Sequence, residues 1–268
     1  MSLSAKLGKL KKIIRSYGDA VIAFSGGLDS SFLLYVASVV LPGDKVIAVT
    51  GNSHTYPKQE LACARRVARS FGVRHIVVST GELKDKRFSL NRANRCYYCK
   101  KELFSRLKRI ARDNKIKNVM DASNLSDKAD FRPGTKAKLE SGARSPLQEA
   151  GLNKEDIRKL SRKMGLSFWD KPAAACLASR IPYGVAIGTA LLNWIEAAED
   201  FLSGIGFKQV RLRHHGKLCR IEVLKKEIPR IFLKSKAIVD KLKRLGYNYV
   251  TVDLEGYRTG SLNEVINR

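Results

Sequence analysis

Three groups of residues in this sequence have types and spacings suited to chemistry. The first is Phe24-Ser25-Gly26-Gly27-Leu28-Asp29-Ser30-Ser31. Its two glycines let a backbone close tightly on an anion, and the Ser25, Ser30 and Ser31 hydroxyls add donors. Asp29 would be repelled by phosphate unless it holds Mg²⁺ or caps the turn. No Gly-Lys-Ser/Thr follows, which excludes the Walker pattern. The second group is cysteine: Cys96 and Cys99 in Asn94-Arg95-Cys96-Tyr97-Tyr98-Cys99-Lys100, and Cys176 four residues before Arg180. A Cys-x-x-Cys pair serves as a redox couple, half of a zinc site or part of an iron–sulfur site. Structural zinc would need a fourth ligand, and His54, His75, His214 and His215 stand at no typical spacing. Three thiolates from two segments can hold a [4Fe–4S] cluster and leave one iron open. The third group is Arg211 and Arg213, which alternate with Val210 and Leu212, so that a strand carries both guanidiniums on one face. Two such forks suit a phosphate or a carboxylate.

The elements that must position these groups read as an α/β protein. Residues 4–17 are a helix with Leu7, Leu10, Ile13 and Ile14 at helical spacing. The apolar run Asp19–Phe24 is a buried parallel strand ending at the glycines, and a helix from Ser30 to about Val40 follows. Strands at Lys45–Thr50 and His75–Ser79 bracket a helix at Gln59–Phe71, and a helix at 100–114 leads to a strand at 118–121. Alternating strands and helices imply a parallel sheet covered on both faces, with the first loop at its carboxyl end, where anions bind in such folds. At the start of the next helix the backbone N–H groups and the dipole favour a pyrophosphate. Near residue 185 the style changes to a small α+β unit: a helix at Leu191–Leu202, a hairpin of Phe207–Arg213 and Lys217–Val223 about His214-His215-Gly216, a helix over about 226–245 and a strand at Tyr249–Leu254. The expected domains are 1–185 and 186–268.

The 268 residues, 44% of them hydrophobic, supply a proper core and exclude a disordered or collagen-like chain. The basic amphipathic N-terminus lacks the apolar core of a signal peptide, and no apolar run reaches the roughly 20 residues that span a bilayer. A soluble, cytoplasmic protein is expected, and five cysteines do not read as a disulfide framework. Cys63 and Cys219 read as small buried hydrophobes, and Tyr97, Tyr98 and Trp169 as packing residues, with a place bordering the substrate as the alternative for Trp169, which precedes Asp170-Lys171-Pro172. The net charge of +26 favours tRNA or another polyanion as a partner, or a simply solvated basic surface. Lys84–Asn118 and Lys208–Arg244 each carry 13 basic and 3 acidic residues. Homo-oligomer formation is left open.

The loop resembles the SGGxDS signature of PP-loop ATP pyrophosphatases, which split ATP between the α- and β-phosphates. The resemblance implies a PP-loop (adenine nucleotide α-hydrolase-like) domain with a smaller C-terminal α+β domain. It places the nucleotide at Ser25, Gly26, Gly27, Asp29 and Ser30, with adenosine near Thr50 and Asn52 and a further nucleotide-side loop at Asp121–Asn124. The whole chain resembles the LarE family of ATP-dependent sulfur transferases, which help build the nickel-pincer nucleotide cofactor. The blocks that carry this include AFSGGLDSSFLL, RCYYCKKELF, DFRPG, RSPLQEAGLNKEDIR, WDKPAAACLASRIPYG, RLRHHGKLCRIEV and YVTVDLEGYRTGSLNE. The family adenylates the carboxylates of a pyridinium mononucleotide with ATP and Mg²⁺, releases pyrophosphate and delivers sulfur. Some members sacrifice a cysteine at the position of Cys176. Others hold a [4Fe–4S] cluster on cysteines placed like Cys96, Cys99 and Cys176 and use a sulfide on the open iron, and this chain has all three. The resemblance implies a substrate-phosphate site at Arg211 and Arg213 and puts Asp130, Arg132, Asp170, Lys171, Ser179 and Arg180 in family-like blocks, with Arg180 expected at the reaction centre. Two other readings compete. One is a PP-loop tRNA thiolase, for which no RNA-binding module is recognisable; the other is an ATP-binding scaffold without catalysis.

Overall fold

The structure, a computed structural model, describes residues 1–129, 133–172 and 174–265, the side chains of 128, 129, 263 and 265 apart. The chain forms two compact units, 1–88 with 93–174, and 89–92 with 175–268. Cys96 and Cys99 thus belong to the first unit and Cys176 to the second.

The first unit opens with α1 (Leu3–Tyr17), begun by the Ser2 hydroxyl accepting from Ala5 N and ended by Gly18 in the left-handed region. Strand β1 (Ala20–Ala23) runs into α2 (Leu28–Val40). Then come β2 (Val46–Asn52), α3 (Lys58–Ser70), β3 (Arg74–Ser79), the single turn α4 (Lys86–Ser89), α5 (Arg95–Asp113) and β4 (Val119–Met120). Three further helices follow: α6 (Gly134–Ser141), α7 (Pro146–Glu149) and α8 (Lys154–Lys163). All strands are parallel in the order β3-β2-β1-β4. Alternation along β1 sends Ala20 and Ile22 into a core shared with α1, α2 and α8, and Val21 into one shared with α5. Sheet order reverses between β1 and β4, so the loops after these two strands flank the switch point where α/β sheets bind ligands.

Helix α5 begins five residues before the expected 100, and Cys96 and Cys99 lie at its start, where the Cys-x-x-Cys was expected. Helix α8 was not expected, although Asn153 and Asp156 form a complete capping box at its start.

In the second unit, α9 (Thr189–Gly204) precedes the antiparallel pair β5 (Val210–His215) and β6 (Leu218–Val223). The region expected as one helix is α10 (Ile228–Leu233) and α11 (Ser235–Arg244). At the join Lys234 N bonds to Ile231 O, one residue short of the α-helical register, and the ladder restarts from Lys234 O. Strand β7 (Tyr249–Val252) pairs parallel to β6. Among the described residues no helix is long and apolar enough to cross a membrane.

Candidate active site

The phosphate loop is shaped by its own serines and glycines. Phe24 N bonds Val49 O, which ends the strand, and Gly26 turns the chain with φ +62°. Gly26 lies so close to α3 that a Cβ built on it would stand 2.8 Å from Ala64 Cα and 3.0 Å from Ala64 N. Gly27, with φ −78°, is extended backbone at the N-cap of α2 and has no side-chain cap. The Ser30 hydroxyl accepts from Ser25 N (3.2 Å), donates to Gly27 O (3.2 Å) and lies 3.1 Å from the Ser25 hydroxyl. Ser30 therefore closes the loop on itself. Ser31 is fully buried, its hydroxyl without a partner among the described residues. What the loop turns toward an anion is the backbone of Gly26–Leu28, with Gly27 N donating to the Ser25 hydroxyl at 3.4 Å, that hydroxyl itself and the positive end of α2.

Two side chains tie the loop's carbonyls outward. The Tyr56 hydroxyl donates to Ser25 O (2.7 Å), and Lys171 Nζ donates to Gly26 O (2.9 Å). Lys171 also reaches Glu60 Oε2 at 2.7 Å and Cys63 Sγ at 3.1 Å. Burial, with Glu60 and Cys63 adding to it, pushes the Tyr56 phenol well above its ordinary range, so it stays a donor. Cys63 is half-buried and in contact with a lysine, not the inert hydrophobe expected. The carboxylate of Asp29, in the first turn of α2, lies 2.6 Å from Lys154 Nζ at the start of α8. Lys154 was missed in the sequence; the capping box that sets its position was the available signal.

The other nucleotide-side residues hold the fold. Thr50 is buried, donates to Phe24 O (2.7 Å) and lies 2.8 Å from His75 Nε2. Burial, with Arg65, lowers the His75 pKa. Asn52, half-buried at the end of β2, accepts from Thr80 N. Asn124 is buried, its side-chain oxygen accepting from Ser126 N and its carbonyl from Gln148 Nε2. It shapes the loop after β4 and presents no open face.

In the second unit Cys176 is exposed and precedes the 3₁₀ turn Leu177–Arg180. Arg180, 2% exposed, donates to Ala175 O (2.7 Å) and Cys176 O (3.0 Å) and forks onto Glu199 at 2.9 and 2.8 Å. Burial alone would lower its pKa, but Glu199 outweighs this and raises it. Arg180 thus fixes the backbone bearing Cys176. The two strand arginines differ. Arg213 is buried, forks onto Glu222 at 2.9 and 2.8 Å, and donates to Ser179 O and the Ser261 hydroxyl, both at 2.7 Å. Arg211 is half-buried, lies 5.4 Å from the Tyr257 ring, and has its pKa lowered by burial and by Arg180, with Arg213 adding to it. Such crowding of cations is relieved by an anion. Ser179 is half-buried under Arg180, whereas Asp170 of the first unit is exposed; Asp130 and Arg132 lie outside the described residues.

All five cysteines are free thiols. Cys219 is fully buried, and burial pushes its thiol up to about 12, as a small core residue requires. Cys96 and Cys99 are half-buried, three residues apart on one helical turn. Among the described residues no three of His, Cys, Asp or Glu come together as a metal-holding group.

A parallel sheet with a glycine–serine loop between its central strand and a helix N-terminus defines the PP-loop class of ATP-using enzymes. Residues 19–94 match the family model described as queuosine biosynthesis protein QueC. Over 267 residues the chain is 36% identical to the pyridinium-3,5-bisthiocarboxylic acid mononucleotide synthase of Lactiplantibacillus plantarum, covering 100% of this chain and 97% of that one. It is 38% identical over 268 residues to an uncharacterized protein of Synechocystis (99% and 100% covered), and 27% identical over 257 residues to one of Methanocaldococcus jannaschii (95% and 98%). The chain belongs to the LarE family, and is an ATP-dependent sulfur transferase.

Proposed function

We propose that this enzyme activates a carboxylate of a pyridinium mononucleotide as its adenylate, releases pyrophosphate, and replaces AMP by sulfur in nickel-pincer nucleotide biosynthesis. The observation that carries the reading is the closed Ser25–Ser30 loop at the sheet's switch point, in a chain similar over its full length to the synthase. Adenylation converts a poor leaving oxygen into AMP. The loop backbone and the α2 N-terminus bind the pyrophosphate half of ATP, while Tyr56 and Lys171 keep the loop carbonyls turned away from it. Asp29 suits Mg²⁺, which binds through one or two carboxylates plus substrate phosphates and would neutralise charge on the departing pyrophosphate. In that state Lys154 passes from Asp29 to a phosphate oxygen. Arg211 takes a phosphate or carboxylate of the acceptor, with Arg213 as the buried brace of its strand.

Cys176 stands at the sulfur-delivery point in this reading, supported by its exposed thiol on a segment held by Arg180. Cys96, Cys99 and Cys176 are the thiols that would hold a [4Fe–4S] cluster, whose extra sulfide would make the donor renewable. Their donor chemistry fits, although the described residues contain no assembled metal group. The test is anaerobic purification with iron and acid-labile sulfide counted per chain, alongside pyrophosphate release and thiocarboxylate formation. About four irons, lost in each Cys→Ala variant, are expected. An iron-free enzyme that still thiolates once per chain would move the case to Cys176 as a consumed donor. Absence of carboxylate-dependent pyrophosphate release would overturn the adenylation reading itself.

A further inference from the structure

A groove along α5 is the strongest surface feature outside these residues. The two equally basic segments of the chain spend their charge differently. In Lys208–Arg244, Arg213 and Arg220 converge on Glu222, Arg220 also reaches Asp253, and Arg230 pairs with Glu227. In Lys84–Asn118 the cations instead line an open groove of about 530 Å³. Tyr98, Lys101, Arg106, Arg109 and Arg112 lie along α5, and Arg87 joins from the preceding turn. Steps of three to five residues keep them along one side of the helix.

The two acids of the groove are already engaged. Asp85 takes a forked bond from Arg87 at 3.0 and 2.8 Å, with the guanidinium 4.7 Å from the Tyr98 ring centroid. Glu102 accepts from Gly81 N at 2.8 Å and lies 3.6 Å from Arg106. Among the described residues no carboxylate pairs with Lys101 or Arg112, and Arg109 meets Asp113 only at 3.8 Å, both well exposed. Five cations against two carboxylates therefore face solvent in one groove.

We propose that this groove binds a single-stranded nucleic acid. Its cations are spaced by about one helical turn, roughly 5.4 Å, within reach of successive phosphates along a strand. Tyr98 and the Arg87 guanidinium over it form a flat surface on which a base stacks. An acidic protein would also be attracted, but protein interfaces rest on buried apolar anchors, and this groove is lined by no Leu, Ile, Phe, Met or Trp. The net charge of +26 adds long-range attraction that favours a polyanion over a small acid. This binding is independent of the sulfur-transfer reading.

The experiment measures anisotropy of a fluorescent oligouridylate with the full-length protein across a salt series. The triple variant Arg106→Gln, Arg109→Gln, Arg112→Gln should bind on the order of tenfold more weakly at physiological salt, and lower the slope of log K against log salt by about 2. Lys225→Gln, Lys226→Gln, Lys236→Gln removes the same charge from exposed positions on the second unit and should change affinity less than about twofold. Photocrosslinks of the wild-type protein to the same probe should map to α5, which keeps the test open should the triple variant fold poorly. Equal loss in both triple variants, crosslinks elsewhere, or absence of binding by the wild type would overturn the proposal. Tighter binding of polyglutamate than of the oligouridylate would overturn it in favour of an acidic protein partner.

Discussion

Replacing Gly26 by alanine separates the loop's architecture from its chemistry. Gly26 sits at φ +62°, a region that costs an L-residue about 1–2 kcal/mol. The added Cβ would stand 2.8 Å from Ala64 Cα, 3.0 Å from Ala64 Cβ and 3.0 Å from Ala64 N. Two of these are backbone atoms of α3, so relief requires the helix or the loop to move, and overpacking of this kind costs about 1–3 kcal/mol more. The sum, roughly 2–5 kcal/mol, corresponds to a fall in Tm on the order of 5–15 °C for a protein of this size. Pyrophosphate release should fall about 100-fold, because a loop displaced by an ångström no longer presents its N–H groups to the leaving group. Gly27→Ala is the control. Gly27 has ordinary backbone geometry, and its Cβ would meet only Ser25 Oγ, at 3.4 Å. That variant should melt within about 2 °C of wild type and yet bind ATP more weakly, since its methyl occupies the space a phosphate needs. The double change Gly26→Ala with Ala64→Gly removes the Cβ contact but not those with Cα and N, so rescue should be partial. A Gly26→Ala enzyme with wild-type melting and pyrophosphate release would refute the reasoning outright.

Four further outcomes are expected. Glu222→Gln leaves Arg213 and Arg220 around a lost charge in a buried site and should cost about 3–5 kcal/mol by urea unfolding, whereas Arg211→Gln should cost less stability than that and raise KM for the acceptor about 10-fold or more. Lys154→Ala breaks a partly exposed pair with Asp29 and should lower Tm little, while pyrophosphate release falls about tenfold or more; unchanged release would remove Lys154 from the phosphate site. Burial lowers the pKa of His75, His214 and His215 below the usual 6.5, with Arg65 adding at His75, His215 at His214, and Arg220 and Arg213 at His215. The unfolded chain then takes up protons first, so stability should decline as pH falls below about 6.5 through the folded-state values, and His75→Gln should flatten that decline in thermal melts across the same range.

The fold was largely legible because its signals are local and mutually consistent. The apolar run before the glycines, the alternation of strand and helix, and the change of style in the last third follow from side-chain periods of 2 and 3.6. The loop was legible for the same reason: glycines and hydroxyls at a strand-to-helix junction have few other uses. Helix α8 is faint in the sequence because a ten-residue element with only Ile157, Leu160 and Ser161 buried offers a short apolar stripe, and its one local signal is the capping box of Asn153 and Asp156.

The roles of individual side chains were less legible, and the reason is the distance along the chain over which partners are chosen. Asp29 meets a lysine 125 residues away, Gly26 one 145 away, and Arg213 is completed by Ser179 and Ser261 at separations of 34 and 48. Spacing within a strand fixes which face a residue takes, but not what covers that face. Alternation put Arg211 and Arg213 together, yet one is half-buried beneath Tyr257 and the other is enclosed by Glu222 and two serine groups. A buried arginine paired with a carboxylate and a half-buried one lying against an aromatic ring have the same sequence signature. They part only when a carboxylate from the neighbouring strand takes one of them, as Glu222, opposite Arg211 in the register, does by pairing diagonally with Arg213. Which of two arginines on one strand face is enclosed is therefore set by the carboxylate that the neighbouring strand brings to it, which is a property of strand register and not of composition.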